Sequence, residues 1–251
     1  MSILFDGIDD VITCGAGDDI LTENGALTIS AWVRLTNGGE NNFARIISKE
    51  TNSSNVGVGL RHSNPANPRF RFFVFAGASS LSRESANDTL VYGVSQHVAV
   101  TWTGANDPTT IHIYINGVES ASYPVSTTGT SPADNSTSTI RIGDSENSDG
   151  SFNGYIEEVA LWNTVVAESD ISLLSSGARG IPKLVSIANL KAYWPMNDKA
   201  DGSSADGDTI LDHSSIGRNG TGVDGANNSG LTWSSISAFV AIRNSMMMGV
   251  G

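Results

Sequence analysis

The sequence predicts an all-β fold, an antiparallel β-sandwich with one short helix. Short stretches alternate apolar and polar residues, which is the pattern of strands that bury one face. The composition is 39% hydrophobic and 16% charged, with 27 glycines in 251 residues. That balance suits many short strands joined by turns, and it suits neither a helical bundle nor a disordered chain. Helix signals are few, which supports the same class.

The first predicted strands lie before residue 80. In "ALTISAWVRL", Leu27 and the alternate apolar residues share one face, while Thr28, Ser30, Trp32 and Arg34 share the other. "ARIISKE" and "VGVGL" predict shorter strands. "RFRFFVFAG" carries phenylalanine on both faces, as expected of a strand that packs against neighbours on both sides.

A hairpin and the C-terminal elements follow. "HVAVTW" and "TIHIYINGVES" alternate and are joined by "TGANDPTT", and Asn116-Gly117 is a turn dipeptide that tolerates positive φ. "STIRIGDS" and "FNGYIEEVALWN" predict two more strands. "ESDISLLSSG" predicts the short helix, with Gly177 as its stop. "NLKAYWPMND" and "ILDHSS" predict further strands.

The chain is predicted to form one domain, because no Pro-rich linker or change in composition divides it. We expect residues 1–230 to form the sandwich, with the strands after residue 188 completing it. Residues 231–251 end in "ISAFVAIRNSMMMGVG" and form either a last strand or a tail that docks on a partner. An exposed run of Phe, Val, Ile and Met is unfavourable unless it is covered.

The charge of the chain excludes some classes of partner. The formal net charge is −12, which disfavours nucleic acid and anionic membranes, because both require clustered Lys and Arg. It favours solubility and is compatible with divalent cations. The single cysteine, Cys14, excludes an internal disulfide framework. Neither a signal peptide nor a run of transmembrane length is visible.

Seven segments in order resemble one known family. They are "LFDGIDDVITC", "LTISAWVRL", "RIISKE", "QHVAVTW", "IYINGVES", "IRIGDS" and "FNGYIEEVALWN" followed by "AESDISLLSSG". Together they are similar to the laminin G-like (LamG) modules of the concanavalin A-like lectin/glucanase superfamily. The hairpin resembles the family's W-H-H-V-A and Y-V-N-G unit, with Gln96 in place of the first His. The resemblance covers roughly residues 1–180.

The resemblance implies a jelly-roll of two curved sheets with a concave face and rim loops. "NLKAYWPMNDKADGSSADGDTILDHSSIGRNGT" is similar to a segment that commonly precedes the F-D-G strand of the family, yet here it follows the helix. Either these strands complete the same sandwich from the other end, or they begin a truncated second module. We favour completion, because the remaining chain is too short for a second core.

Catalysis is not expected. Glucanases of this superfold carry E-x-D-x-x-E on a strand, which sets two carboxyls on one face, about 5 Å apart in retaining enzymes. Here Glu157 and Glu158 are adjacent, and alternation predicts that they point to opposite faces. The four histidines lack zinc-ligand spacing, and no nucleophile elbow or phosphate loop is present.

Calcium is the ion that the acidic loops favour, because it takes carboxylate and carbonyl oxygens in flexible arrangements. "FDGIDD", "GAGDD" and "GDSENSDG" are such loops, although Asp is also a plain turn former. The resemblance implies a structural calcium, and it implies that the first strand and the "IEEV" strand lie close together. We therefore predict Asp6 and Glu158 as its ligands.

A glycan site needs an exposed aromatic ring beside planar polar groups, because sugar C–H faces stack on Trp or Tyr. Trp32 shares a strand face with Arg34, and Tyr114 shares one with Asn116. These four residues are the predicted ligand-binding residues. The alternative is that a loop covers the two aromatic rings, which would make them structural.

We expect a non-catalytic module that binds a glycan or another surface. The first predicted strand begins almost at Met1. A module without a visible export signal fits the exposed surface of a bacteriophage particle, as one of many copies among other particle proteins. The alternatives are a secreted bacterial adhesion or carbohydrate-binding module and, less favoured, a glycan-active enzyme.

Overall fold

The computed structural model describes residues 1–17, 20–22, 25–51, 56–76, 79–129, 134–178, 180–226 and 230–236. Its strands form two antiparallel sheets packed face to face, with a single α-helix in the described residues. The prediction of an all-β, jelly-roll sandwich with one short helix is therefore confirmed. No helix in these ranges is long and apolar enough to span a membrane.

The strands are, in chain order, β1 (Ser2–Asp6), β2 (Val11–Ala16), β3 (Leu27–Leu35), β4 (Arg45–Thr51), β5 (Val56–Ser63), β6 (Arg69–Ala76), β7 (Ser79–Glu84), β8 (Gln96–Trp102), β9 (Ile111–Ile115), β10 (Val118–Glu119), β11 (Val125–Thr127), β12 (Thr139–Ile142), β13 (Asn153–Trp162), β14 (Leu190–Trp194), β15 (Thr209–Ile210), β16 (Gly220–Val223) and β17 (Thr232–Ser234). The helix α1 spans Glu168–Leu174. Four 3₁₀ turns complete the described elements, at Glu40–Asn42, Pro108–Thr110, Ile181–Leu184 and Ile187–Asn189.

The two sheets have different sizes and both include C-terminal strands. The eight-stranded sheet has the order β10-β9-β8-β3-β13-β1-β17, and β14 also pairs with β13. The nine-stranded sheet has the order β11-β7-β6-β5-β4-β12-β2-β16-β15. The strands after residue 188 thus complete both sheets. Residues 237–251, which hold most of the predicted docking tail, lie outside the described residues.

The main core lies between the sheets. On β3 the alternation works as predicted, since Ile29, Ala31 and Val33 are buried against the opposite sheet. Trp102 and Trp233 are also fully buried there. Each buried valine or isoleucine side chain contributes about 1.5–3 kcal/mol through removal from water.

A second, smaller core lies on the outer face of the eight-stranded sheet. The apolar face of α1, with Ile171 and Leu174, packs there on Trp162, Tyr114 and their neighbours. The Trp162 indole nitrogen donates to the carbonyl of the loop residue Val185 at 2.9 Å. The helix and the loop after it thus cover part of this face. The outer face of the nine-stranded sheet lies on the other side of the molecule.

The turn at Asn116-Gly117 joins β9 to β10 and lies against the C-terminal end of α1. Both residues have positive φ, 51° and 80°, as a tight hairpin turn requires. A Cβ on Gly117 would lie 2.3 Å from the Ser175 hydroxyl, so only glycine lets the turn approach the end of α1. The "QHVAVTW…IYINGVES" unit therefore packs against α1, through this turn and through Tyr114.

Candidate functional site

The two aromatic residues of the predicted glycan site are buried. Trp32 is 8% exposed and lies 5.6 Å from the ring of His97 on the adjacent strand. Tyr114 is 6% exposed and belongs to the core beneath α1. The sequence left open whether these rings are exposed or covered, and the structure shows them covered, so they do not form the predicted glycan-stacking surface. For Tyr114 the cause is α1 and the loop residue Val185, which pack on this face.

The other two predicted ligand-binding residues support local structure. The Arg34 guanidinium donates to the carbonyl of Gly93 at 2.9 Å and lies 5.8 Å from the Tyr155 ring. The Asn116 side-chain oxygen accepts from the backbone amide of His97 at 2.9 Å. The structure does not bring these residues together with Trp32 and Tyr114 into one open site.

A different polar surface occupies the outer face of the nine-stranded sheet. We call it the arginine face, and define it by Phe43, Arg45, Glu50, Arg61, Ser63, Arg69, Arg71, Phe73, Ser82 and Glu84. Strand pairing brings these residues together, because Arg45 is paired with Arg61, Arg61 with Arg71, and Arg71 with Glu84. Paired residues on adjacent strands point to the same side of a sheet. The alternate residues, such as Leu60 and Phe72, point into the main core.

Glu84 holds one end of the arginine face. One of its oxygens lies 2.7 Å from Arg69 Nε, and the other lies 3.6 Å from Arg71 Nη1. The Ser63 hydroxyl also donates to this carboxylate at 2.9 Å, and Arg71 donates to the Ser82 hydroxyl at 3.0 Å. Since these groups are largely buried, the hydrogen bonds fix the guanidinium groups in one orientation.

Glu50 holds the other end, and an aromatic ring fills the middle. Arg45 Nε donates to Glu50 Oε1 at 2.9 Å, and the Arg45 guanidinium lies 5.3 Å from the centre of the fully buried Phe73 ring. A Cβ on Gly59 would lie 2.6 Å from the Phe73 ring. The glycine therefore lets that ring lie flat over β5, where it supports the guanidinium groups from below.

Arg61 lies at the centre of this surface and is in contact with a second ring. Its guanidinium carbon lies 4.2 Å from the centre of the Phe43 ring and 5.5 Å from that of Phe73. Phe43 is 42% exposed. Burial, together with the charges of Arg45 and Arg71, lowers the pKa of Arg61 to about 9. The side chain remains a cation at neutral pH, in a position that disfavours its charge.

Sequence reasoning missed the arginine face, although part of its signal is visible. In "RFRFF", Arg69 and Arg71 alternate with Phe70 and Phe72, which predicts arginines on the face opposite the core. Arg61 belongs to another strand. The register that places it opposite Arg71 is a tertiary property that single-strand periodicity does not contain.

The predicted calcium pair is also wrong. In the pairing of β1 with β13, Asp6 lies opposite Asn153, and Ile3 lies opposite Ile156. Glu158 is therefore five residues along the strand from the partner of Asp6, a separation of roughly 17 Å. Asp6 instead lies beside Asp9 and Asp10, with carboxylate oxygens within 4.8 Å of one another.

This acidic cluster fits a hard cation. Asp10 is fully buried, its Oδ2 accepts from the Asp6 amide at 2.7 Å, and its Oδ1 has no hydrogen-bond partner. Burial, followed by the charges of Asp6, Asp224 and Asp9, raises the pKa of Asp10 to about 7. An orphaned buried oxygen among several carboxylates is the donor set that Ca²⁺ takes.

The other acidic loops differ from this cluster. Asp144 accepts hydrogen bonds from the amides of Ser145 and Gly150 and from the Ser151 hydroxyl, so it organises its own loop. Burial raises its pKa to about 6. Asp18 and Asp19 of "GAGDD" lie outside the described residues.

Comparison with known proteins agrees with the predicted resemblance. The family model described as the concanavalin A-like lectin/glucanases superfamily (Laminin_G_3) matches residues 6–172. The chain belongs to this family. The predicted LamG-like membership is therefore confirmed. No curated protein shows a match to the chain.

Solved structures show the same fold in distant proteins. A protein from Bacteroides ovatus ATCC 8483, assigned to carbohydrate binding, has a TM-score of 0.56 at 17% identity, over 88% of this chain. The chain spans 57% of that protein's length. The heptameric SAP-like pentraxin of Limulus polyphemus has a TM-score of 0.51 at 16% identity, over 72% of this chain and 83% of its own. The chain therefore has the fold of carbohydrate-binding modules.

A β-bulge changes the expected geometry of the two adjacent glutamates in this family member. Glu158 has a φ of 53°, and the pairing of β13 with β3 shifts register between Glu157 and Ala160. Glu157 lies opposite Trp32, and Glu158 accepts from the Tyr193 hydroxyl at 2.5 Å, so both lie on the outer face of the eight-stranded sheet. The prediction of opposite faces is wrong.

Both carboxylates are nevertheless buried and contact other groups of the protein. Glu157 is fully buried, and its Oε2 lies 3.6 Å from the backbone nitrogen of Met1. Glu158 is 3% exposed and also accepts from the amide of Gly180 at 3.4 Å. Retaining hydrolysis needs two carboxyls on either side of a sugar that can enter between them. These two are covered by the chain itself.

Proposed function

We propose that the protein is a non-catalytic carbohydrate-binding module whose ligand contacts the arginine face. The observation that carries the proposal is the Phe43 ring, 42% exposed, beside the Arg61 guanidinium on the outer face of the nine-stranded sheet, away from α1. A sugar presents C–H groups to an aromatic ring and hydroxyls to planar donors. Here the aromatic ring of Phe43 and the planar guanidinium of Arg61 lie 4.2 Å apart.

The support of this surface suits binding rather than chemistry. Glu50 and Glu84 are engaged by Arg45, Arg69 and Arg71, so they position donors and do not act as free acids. Preorganised donors lower the entropy lost when a ligand binds. The Bacteroides ovatus protein with the same fold is assigned to carbohydrate binding, which agrees with this proposal.

A glycan array with the purified chain tests the proposal. We expect binding to a subset of glycans, reduced in Phe43→Ala and in Arg61→Met. Lys183→Gln is the matched control, because Lys183 is exposed on a 3₁₀ turn beside the other sheet. Absence of binding to every glycan on the array would refute the proposal. Release of reducing sugar from a panel of polysaccharides would refute the non-catalytic part.

Calcium at the acidic cluster is a separate proposal. Asp6, Asp9 and Asp10 would hold the ion, and its charge would satisfy the orphaned oxygen of Asp10. Because the cluster joins the ends of β1 and β2 and accepts from the amide of Ala226, a bound ion would tie the C-terminal segment to the first strands. Its role would be structural, at a place distinct from the arginine face.

Placement on the surface of a bacteriophage particle remains a prediction from the sequence, with secretion from a bacterium as the alternative. A gene neighbourhood of capsid and tail genes supports the first, and an operon of secreted polysaccharide-processing proteins supports the second. Assembly into several copies is a further prediction, and sedimentation of the purified chain measures it directly.

A further inference from the structure

The charge of the arginine face is opposite to that of the whole protein. The chain has 26 acidic against 14 basic residues. On the arginine face, Arg45, Arg61, Arg69 and Arg71 stand against two carboxylates, those of Glu50 and Glu84. A local excess of buried positive charge on an acidic protein points to a specific role rather than to general solubility.

In the described part of the chain, Arg61 is the arginine of this face that has no ion pair of its own, although Glu50 and Glu84 attract it from a longer distance. Among the described residues, Glu50 pairs with Arg45, and Glu84 pairs with Arg69 and Arg71. Arg61 is 7% exposed, and its Nε has no hydrogen-bond partner. Its neighbours on the flanking strands are two more arginines, Arg45 and Arg71. A buried cation with cationic neighbours is unfavourable until an anion joins it.

The geometry around Arg61 indicates what kind of anion fits. A guanidinium presents a planar fork that binds the two oxygens of a carboxylate or sulfate. The Phe43 ring lies 4.2 Å from it and is partly exposed, so the same ligand meets an apolar ring beside the charge. A free phosphate would use the charge and leave the ring without a partner.

We propose that the arginine face binds an acidic glycan, with its carboxylate or sulfate group at Arg61 and its sugar ring against Phe43. This inference rests on the proposed function and narrows its ligand to one chemical class. Arg45 and Arg71 add positive potential on either side. On the same face, the Ser63 hydroxyl donates to the buried Glu84, and the Ser82 hydroxyl accepts from Arg71. These hydrogen bonds keep the arginine side chains oriented.

The test compares matched acidic and neutral polysaccharides by isothermal titration calorimetry. The carboxylate pair is polygalacturonate against its methyl ester, and the sulfate pair is dextran sulfate against dextran. We expect at least one acidic member to bind about tenfold or more tightly than its neutral partner, since charge-assisted hydrogen bonds are that strong. The pair that responds identifies the anion.

Arg61→Met is the decisive variant. It keeps the length of the side chain and removes a buried charge, so we expect an unchanged or higher melting temperature together with loss of the preference for acidic glycans. Lys183→Gln removes one exposed charge and should change neither quantity. Circular dichroism melts of all three proteins accompany the titrations, so a folding defect would be recognised.

The remaining outcomes separate the two proposals. Equal binding of acidic and neutral members, still weakened by Phe43→Ala and by Arg61→Met, would overturn the inference and leave the proposed function standing. Absence of binding to any glycan would overturn both. Equally tight binding of single-stranded DNA would also overturn the inference, because non-specific attraction to phosphate would then explain the charge.

Discussion

Arg61 and Arg71 lie directly opposite each other on β5 and β6, two cations on one face of the sheet. Like charges in such a pair destabilise a sheet. Burial lowers the pKa of both side chains. The charges of Arg45 and Arg71 lower the pKa of Arg61 further, and the charge of Arg45 lowers that of Arg71. The fold tolerates this arrangement because Glu84 lies next to Arg71 on β7 and neutralises part of the charge.

The first prediction concerns that carboxylate. Glu84→Gln should lower the free energy of unfolding by about 3–5 kcal/mol, because removal of one partner leaves buried charges uncompensated. Urea denaturation at neutral pH measures the change. Asp88→Asn is the control, since Asp88 is exposed and its positive φ suits asparagine. A Glu84→Gln protein as stable as the control would show that the arginines do not depend on this carboxylate.

Local patterns of the sequence were sufficient for much of the fold. The alternation in β3 predicted which residues face the core, and Asn116-Gly117 predicted the turn, because both depend on neighbours along the chain. The burial of Trp32 was one of two alternatives that the sequence left open. Alternation places a side chain on a face, but the elements that cover the face come from distant parts of the chain.

The candidate sites depended on relations between strands, which a single sequence does not contain. Arg45, Arg61 and Arg71 come from three strands whose register brings them together. The bulge at Glu158 likewise depends on the pairing of β13 with β3, and nothing in "YIEEVAL" marks a positive φ at the second glutamate. The proximity of Asp6 to Asp10 could be predicted from the sequence, because "FDGIDD" places these acidic residues close together in the chain.

The second prediction contrasts two aromatic residues. Phe43→Ala should lower glycan affinity with little change in stability, because the ring is partly exposed and its loss leaves no cavity in the core. Trp32→Ala should instead lower the free energy of unfolding by about 3–5 kcal/mol, as for other large-to-small changes of buried aromatics. Titration with the strongest ligand from the array and urea denaturation measure the two effects. If Trp32→Ala instead lowered only the glycan affinity, the ligand would bind on the eight-stranded sheet and not on the arginine face.

The third prediction concerns the acidic cluster. Calcium should raise the melting temperature of the wild-type protein, and EGTA should reverse the rise, because an ion that binds only the folded state stabilises it. Asp10→Asn should abolish most of the calcium effect, since it removes a buried ligand with an orphaned oxygen. Asp149→Asn is the control, because Asp149 accepts from the Ser145 hydroxyl within its own loop, "GDSENSDG", and does not belong to the acidic cluster. A calcium effect that survives Asp10→Asn would place the ion elsewhere.

The fourth prediction concerns acid stability. Burial lowers the pKa of His97 from 6.5 to about 3, and its Nε2 lies 2.8 Å from the Ser30 hydroxyl. Between these two pKa values the unfolded chain binds a proton at His97 that the folded protein does not bind. The stability contributed by the neutral ring is therefore present above pH 6.5 and is lost as the pH falls toward 3, by about 1.4 kcal/mol per unit at most.

His97→Gln removes this titration while keeping a polar side chain of similar reach. We expect the variant to be less stable than the wild type at pH 7.5, because Gln does not reproduce the ring contact with Trp32. Its stability should then fall less steeply between pH 6.5 and pH 4.5. His112→Gln is the control, because His112 lies part-exposed beside Glu119 on β10. Parallel pH profiles for wild type and His97→Gln in urea denaturation would show that the buried ring does not govern the acid limb.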